Sequence, residues 1–159
     1  MRLVLTEREP PGSWLAGPFE PSAAPAVGRL LQAAYRGTID DEGETESDAV
    51  AEVDRVLAGA YGPFVASSSF LVDEGDRVAG ASMVTSWEEK PYLAHLVVHP
   101  DVQRRGLGMY LMTVTGNALF SAGHSSLELM VTEANEPAVA LYRKLGFKLV
   151  GRLTEPPSS

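Results

Sequence analysis

The chain has 159 residues, 45% of them hydrophobic, with a formal charge of −8 and no cysteine. That length and apolar content predict one globular domain with a core of its own. The acidic balance argues against general affinity for nucleic acid or anionic membranes, and the lack of cysteine excludes a disulfide framework, a thiolate nucleophile and a Cys-based zinc site; no metal site is expected. No apolar run reaches the roughly 18 residues of a spanning helix, and Met1-Arg2 leads into only a few apolar positions. Neither a membrane segment nor a signal peptide is expected, and the reading is of a cytoplasmic protein.

In chain order, Arg2 to Leu5 is a candidate first strand, and residues 9–25, rich in Pro, Gly and Ser, read as an irregular connection. Ser22 is placed to cap a helix through about Arg36, with Val27, Leu30, Leu31, Ala34 and Tyr35 on its inner face and Gly37 as its stop. From Thr38 to Asp48, six of eleven residues are acidic, Asp40, Asp41 and Glu42 among them. Physically this is a solvated loop leading into a helix start, where Thr45 or Ser47 caps and the acids favour the positive end of the dipole. A second helix spans roughly Ser47 to Ala58, with Val50, Val53, Val56 and Leu57 inward, and Tyr61-Gly62-Pro63 ends it.

Ser69–Val72 and Arg77–Ser86 read as a hairpin around the polar turn Asp73-Glu74-Gly75-Asp76. Trp87 to Pro91 turns the chain into Leu93–Val98, a nearly unbroken apolar run of the kind covered on both faces, which His99-Pro100-Asp101 stops. From Leu107 the apolar positions 107, 110, 111, 114, 118 and 119 have helical spacing. Between strand and helix lies Gln103-Arg104-Arg105-Gly106-Leu107-Gly108. The first turn of a helix leaves backbone N–H groups without partners at the positive end of its dipole. The glycines admit close approach to the main chain, and Arg104 and Arg105 add charge, so the turn suits a phosphate or pyrophosphate. There is no GxxxxGK[ST], and the third glycine of GxGxxG is missing.

Ala122-Gly123-His124 ends the long helix, Leu127–Val131 is the next strand, a last helix begins at Asn135, and Phe147–Gly151 can add a final strand before a frayed tail. The order, a hairpin and then two strand–helix units, predicts a mixed α/β sheet without internal repeats or a linker.

Gln103-x-x-Gly106-x-Gly108 at such a turn resembles the [QR]xxGx[GA] acyl-CoA signature of the GNAT superfamily of N-acetyltransferases. Asn135-Glu136-Pro137-Ala138-Val139-Ala140-Leu141-Tyr142-Arg143-Lys144-Leu145-Gly146-Phe147 resembles the family's NxxAxxLYxxxGF segment, in the expected order and at about the expected distance. The resemblance covers about residues 68–153. It implies a single α/β (α+β) domain over 1–159 with the GNAT acyl-CoA N-acyltransferase fold: a mixed, mostly antiparallel sheet of about six to seven strands flanked by about four helices. The strands at 93–98 and 127–131 would splay apart. Backbone groups of Leu96, Val97 and Val98 would bond the pantetheine arm of acetyl-CoA, and the amides of Gln103, Arg104, Arg105, Gly106, Leu107 and Gly108 its pyrophosphate. By spacing, Asn135 is a helix cap before Pro137 and Tyr142 a core aromatic with a polar tip. The family adds a cofactor contact for Asn135 and, for Tyr142, a proton or hydrogen bond to the departing sulfur.

The helices at about 22–58 would form the acceptor side, where the acidic segment 40–48, with Asp40, Asp41 and Glu42, would attract a cationic amine. A protonated alkyl amine must lose a proton before it attacks a thioester. Relatives use a Glu or a His, often from the strand corresponding to 93–98. This strand has no Glu but contains His95, and imidazole is a side chain suited to base work near neutral pH; a satisfied core histidine is the plainer reading. Glu88 and Glu89 are alternatives, while His99 and His124 read as structural or exposed. The resulting expectation is an acetyl-CoA-dependent N-acetyltransferase acting by direct attack in a ternary complex, on a small cationic amine or a peptide or protein amine. A non-catalytic acyl-CoA-binding or sensor domain is the competing class, and a homodimer is left open.

Overall fold

The computed structural model describes residues 1–38 and 41–151. Its strands are β1 (Arg2–Val4), β2 (Ala16–Pro18), β3 (Phe70–Glu74), β4 (Arg77–Trp87), β5 (Lys90–Val98) and β6 (Ser126–Glu128); its α-helices are α1 (Ala24–Tyr35), α2 (Glu46–Leu57), α3 (Leu107–Ser121) and α4 (Glu136–Lys144). The strands form one sheet in the order β1-β6-β5-β4-β3-β2. All pairs are antiparallel except β5 and β6, which run parallel and meet only at Tyr92 and Glu128. β6 ends at that contact, so β5 from Leu93 to Val98 has no strand partner on that edge among the described residues.

Helices cover both faces of the sheet. On one face Val27, Leu30 and Leu31 of α1 and Val53 and Val56 of α2 pack on Ala81, Met83 and Val97. A Cβ on Gly28 would lie 2.8 Å from the Val50 Cα, so glycine there lets the two helices approach closely. On the other face Met112 and Leu119 of α3 pack with Val84, Leu93, Leu127 and Phe147. A buried hydrogen bond of 2.7 Å between Ser82 and Thr115 ties α3 to β4.

A bulge in β5 decides where His95 points. Met83 pairs with His95 and Val84 with Leu93, so Ala94 is an extra residue and the alternation of side chains breaks there. Leu93 consequently packs with α3, whereas Val97 packs with α1 and α2. His95 reaches residues of α1 and α2. An unbroken strand would have put Leu93 and His95 on one face.

Several boundaries differ from the sequence reading. Ser22 does not cap α1; Pro21–Ala23 forms a 3₁₀ turn, and α1 begins after Ala23 with no side-chain cap. Thr45, one of the two expected caps, does cap α2, in a full capping box with Asp48. The strand expected at 127–131 ends at Glu128; Leu129 donates instead to the Met1 carbonyl. The final strand at 147–151 reduces to a single bridge between Arg2 and Lys148. β2 lies in the segment read as irregular: its Pro18, which lacks an N–H, is tolerated because β2 is an edge strand paired only with β3.

Candidate active site

The turn between β5 and α3 is built from local constraints. His99 Nδ1 accepts from the Asp101 amide at 3.1 Å and so caps the 3₁₀ turn Pro100–Val102, a structural task. The Gln103 side chain donates back to the Val98 carbonyl at 3.2 Å, and its amide to Pro100 at 3.4 Å. Gly106, at φ +83°, precedes α3 in the left-handed region that glycine enters without strain. Nothing lies within 4 Å of a Cβ built there, so the backbone conformation rather than crowding asks for glycine. The helical ladder starts with Tyr110 donating to Gly106, so the amides of Leu107, Gly108 and Met109 precede it.

The two arginines differ. Arg105 is held by Glu74 at 3.1 Å and lies over the Trp14 ring at 5.1 Å. Arg104, at φ +67°, makes no ion pair among the described residues. Leu96, Val97 and Val98 pair with β4 through Ser82, Ala81 and Gly80, and their opposite edge lies past the Tyr92–Glu128 contact with β6. These features fit an acyl-CoA: unladdered strand edge for amides, and helix-start amides beside an uncommitted arginine for a pyrophosphate.

The opposite face carries a cavity of about 320 Å³, lined by Tyr35 of α1, Asp41 and Glu44 of the following loop, Asp48 and Glu52 of α2, and His95 of β5, among others. His95 Nε2 lies 2.9 Å from Glu52 Oε2, and Nδ1 lies 3.4 Å from the Tyr35 hydroxyl. Both side chains are shielded, with 11% of His95 and 22% of Glu52 exposed. Glu52 also accepts from the Tyr61 hydroxyl at 2.9 Å and pairs with Arg55 at 3.1 Å. Burial alone would raise the Glu52 carboxyl; the hydrogen bond and charge of His95, helped by Tyr61 and Arg55, outweigh it and hold the group below its ordinary value.

The predicted acidic residues separate. Asp41 lines the cavity, its carboxylate fixed by the amides of Gly37 at 2.8 Å and Gly43 at 2.9 Å, which lower its pKa. Glu42 is exposed and is not part of the lining, and Asp40 lies outside the described residues. Glu88 and Glu89 form the exposed β4–β5 turn at φ +51° and +65°, and neither lines the cavity that holds His95.

Asn135 caps α4, accepting from the Ala138 amide at 3.3 Å. Tyr142 packs edge-on against Phe147, with ring centroids 5.6 Å apart, and burial pushes its phenol up to about 12. Tyr92, unremarked in the sequence, lies on β5 where that strand meets Glu128 of β6. Burial first, then the neighbouring Tyr61, Tyr142 and Glu52, push its phenol up to about 12 against the Met130 amide.

A family model described as the Acetyltransferase (GNAT) family matches residues 25–147. The chain belongs to the GNAT acetyltransferase family. Among curated relatives, a ribosomal protein bS18-alanine N-acetyltransferase of Salmonella typhimurium is 38% identical over 72 residues, covering 45% of this chain and 49% of the relative. A mycothiol acetyltransferase of Clavibacter sepedonicus is 34% identical over 95 residues, covering 60% of this chain and 31% of the relative. The chain thus spans about half or less of the length of these relatives. Among solved structures, a PaiA N-acetyltransferase of Thermoplasma acidophilum in complex with coenzyme A superposes with a TM-score of 0.69 at 14% identity, covering 92% of this chain and 96% of the other. The open six-stranded sheet with its four α-helices is therefore the GNAT fold.

Glu52, Tyr35 and Tyr61 were not singled out from the sequence as site residues, whereas Glu44 and Asp48 belong to the acidic segment 40–48 that was. One signal for Glu52 was present: it lies three residues after Ala49 and four before Val56, both buried, which puts a carboxylate on the border of the helix's inner face.

Proposed function

We propose that the protein is an acetyl-CoA-dependent N-acetyltransferase that transfers acetyl to a primary amine by direct attack in a ternary complex, with a small cationic amine as acceptor. The observation that carries this reading is the placement of His95: it sits on the strand whose free edge and following turn fit the acyl donor, yet its imidazole faces the acidic cavity.

Acetyl-CoA, when bound, supplies the acetyl group as an activated thioester. Arg104 and the amides of Leu107 and Gly108 would hold its pyrophosphate, and the backbone of Leu96–Val98 its amide-bearing arm. On the other face Asp41, Glu44, Asp48 and Glu52 outnumber Arg36 and Arg55 in the cavity lining, lower its potential and attract an ammonium group. His95 takes the proton that must leave before the nitrogen becomes nucleophilic. A phenol at about 12 keeps its proton at neutral pH, so Tyr142 serves as a hydrogen-bond donor to a sulfur anion rather than as a net acid, since a thiol ordinarily titrates near about 8.5.

Two experiments test this reading. In thermal unfolding with acetyl-CoA or ATP, a specific ligand at 100 times its Kd adds about 2.7 kcal/mol. Stabilisation by acetyl-CoA and not by ATP is expected; no shift with acetyl-CoA in a folded sample would remove the donor site. For the acceptor, Glu44→Lys should raise the KM of a cationic amine while Glu42→Lys leaves it unchanged. Equal effects, or none, would sink the role of the cavity. A peptide α-amine is the second reading, supported by the name of the Salmonella relative, and N-terminal peptides belong in the same acceptor panel.

A further inference from the structure

We propose that Glu52 is a positioning residue for the transfer: it fixes His95 as the tautomer protonated on Nε2, so that Nδ1 is the basic nitrogen presented to the acceptor amine. This deepens the reading of His95 as the base and rests on it.

With His95 neutral, the donors and acceptors around the pair allow one arrangement. Glu52 Oε2 receives both His95 Nε2 and the Tyr61 hydroxyl at 2.9 Å, while Oε1 faces Arg55 at 3.1 Å. A carboxylate that accepts from the Tyr61 hydroxyl and faces the Arg55 guanidinium stays ionised. An ionised carboxylate can only accept, so the shared hydrogen belongs to Nε2. In neutral imidazole the second nitrogen then carries the lone pair. That nitrogen is Nδ1, and its neighbour at 3.4 Å is the Tyr35 hydroxyl, a loose contact that an incoming amine can replace.

The step balances simply. One proton passes from the substrate ammonium to Nδ1, leaving a neutral amine and an imidazolium. The N–H on Nε2 stays on Glu52, whose negative charge stabilises the imidazolium across 2.9 Å. The arrangement also explains why a histidine stands in a mostly apolar strand, since its polar atoms are satisfied from two helices that close over it.

The tautomer can be read without any assay of activity. Long-range ¹H–¹⁵N correlation of the protein, recorded above the ordinary titration range of imidazole, distinguishes a protonated from an unprotonated ring nitrogen. The chain has three histidines, and loss of signals in His95→Gln assigns the relevant set. The expected result is a protonated Nε2 in the wild type, and in Glu52→Ala a mixture or a proton moved to Nδ1. In the transfer assay Glu52→Ala should lower kcat about 10–100-fold with acetyl-CoA affinity kept, and Glu52→Asp should recover part of the loss. A wild-type proton on Nδ1, or a tautomer unchanged in Glu52→Ala, would overturn the proposal. If Glu52→Ala does not fold, the wild-type spectrum and Glu52→Asp decide it. If no amine is acetylated while the tautomer depends on Glu52, the proposed function fails and the role in transfer with it, although the fixing of the tautomer stands.

Discussion

The turn proposed for the donor and the cavity proposed for the acceptor lie on opposite sides of β5 and are assembled in different ways. The turn takes its parts from one continuous stretch, Val98 to Gly108, and its geometry follows from local rules: a capped 3₁₀ turn, a left-handed glycine and the unladdered first amides of α3. The cavity draws Tyr35 from α1, Asp41 and Glu44 from a loop, Glu52 from α2 and His95 from β5. Its central contact joins residues 43 positions apart and exists only because two helices pack on the sheet and a bulge turns His95 toward them. One half depends on backbone conformation, the other on tertiary packing, and perturbations should separate them.

The largest expected effect is on the cavity side. His95→Gln should reduce kcat/KM for the acceptor about 10²–10⁴-fold, the range for loss of a general base, while acetyl-CoA binding is kept. Steady-state kinetics with a titration of acetyl-CoA checks this, and loss of donor affinity would break the separation of the two sides. Next comes the packing beneath the cavity. Gly28→Ala places a Cβ 2.8 Å from the Val50 Cα and should cost about 1–3 kcal/mol, seen as a lower melting temperature, because α1 and α2 must move apart. Acceptor KM should rise with it.

A smaller effect is expected from the acid titration of Glu52. Its folded pKa lies below the unfolded value, so its contribution to stability is complete above about pH 4.3 and is lost as pH falls through the folded value. Denaturant unfolding across this window should show a shallower acid loss in Glu52→Gln than in the wild type. The smallest effects belong to the turn. Arg104→Ala should weaken acetyl-CoA binding by up to about 1 kcal/mol, more than Arg105→Ala, whose guanidinium is already committed to Glu74. The reverse order would show that the Glu74 pair opens on binding.

The same division explains how much could be read from the sequence. Helices α3 and α4, the turn and the β3–β4 hairpin announce themselves through periodicity, glycines and caps within a few residues of one another, and Asn135 caps α4 as its spacing predicts. β2 escaped because a three-residue edge strand ending in proline carries no alternation to detect. The strand at 127–131 was read too long because its apolar residues beyond Glu128 serve packing rather than a ladder. His95 was visible as a candidate, but its partner was not. A glutamate on the border of a helix is common, and only the crossing of α2 over β5 makes this one special. The acidic run showed a similar mixture: Asp48 went to capping and Asp41 to bracing its loop, although both also line the cavity.

The central claim is that donor and acceptor are held together, on two sides of β5, while the proton leaves through His95. Initial rates of thiol release measured over a grid of acetyl-CoA and amine concentrations test it most directly. A ternary complex predicts intersecting double-reciprocal lines and a rate that depends on the amine. Parallel lines would mean a covalent acyl-enzyme, and no amine-dependent release from any acceptor in the panel would contradict transfer to an amine altogether.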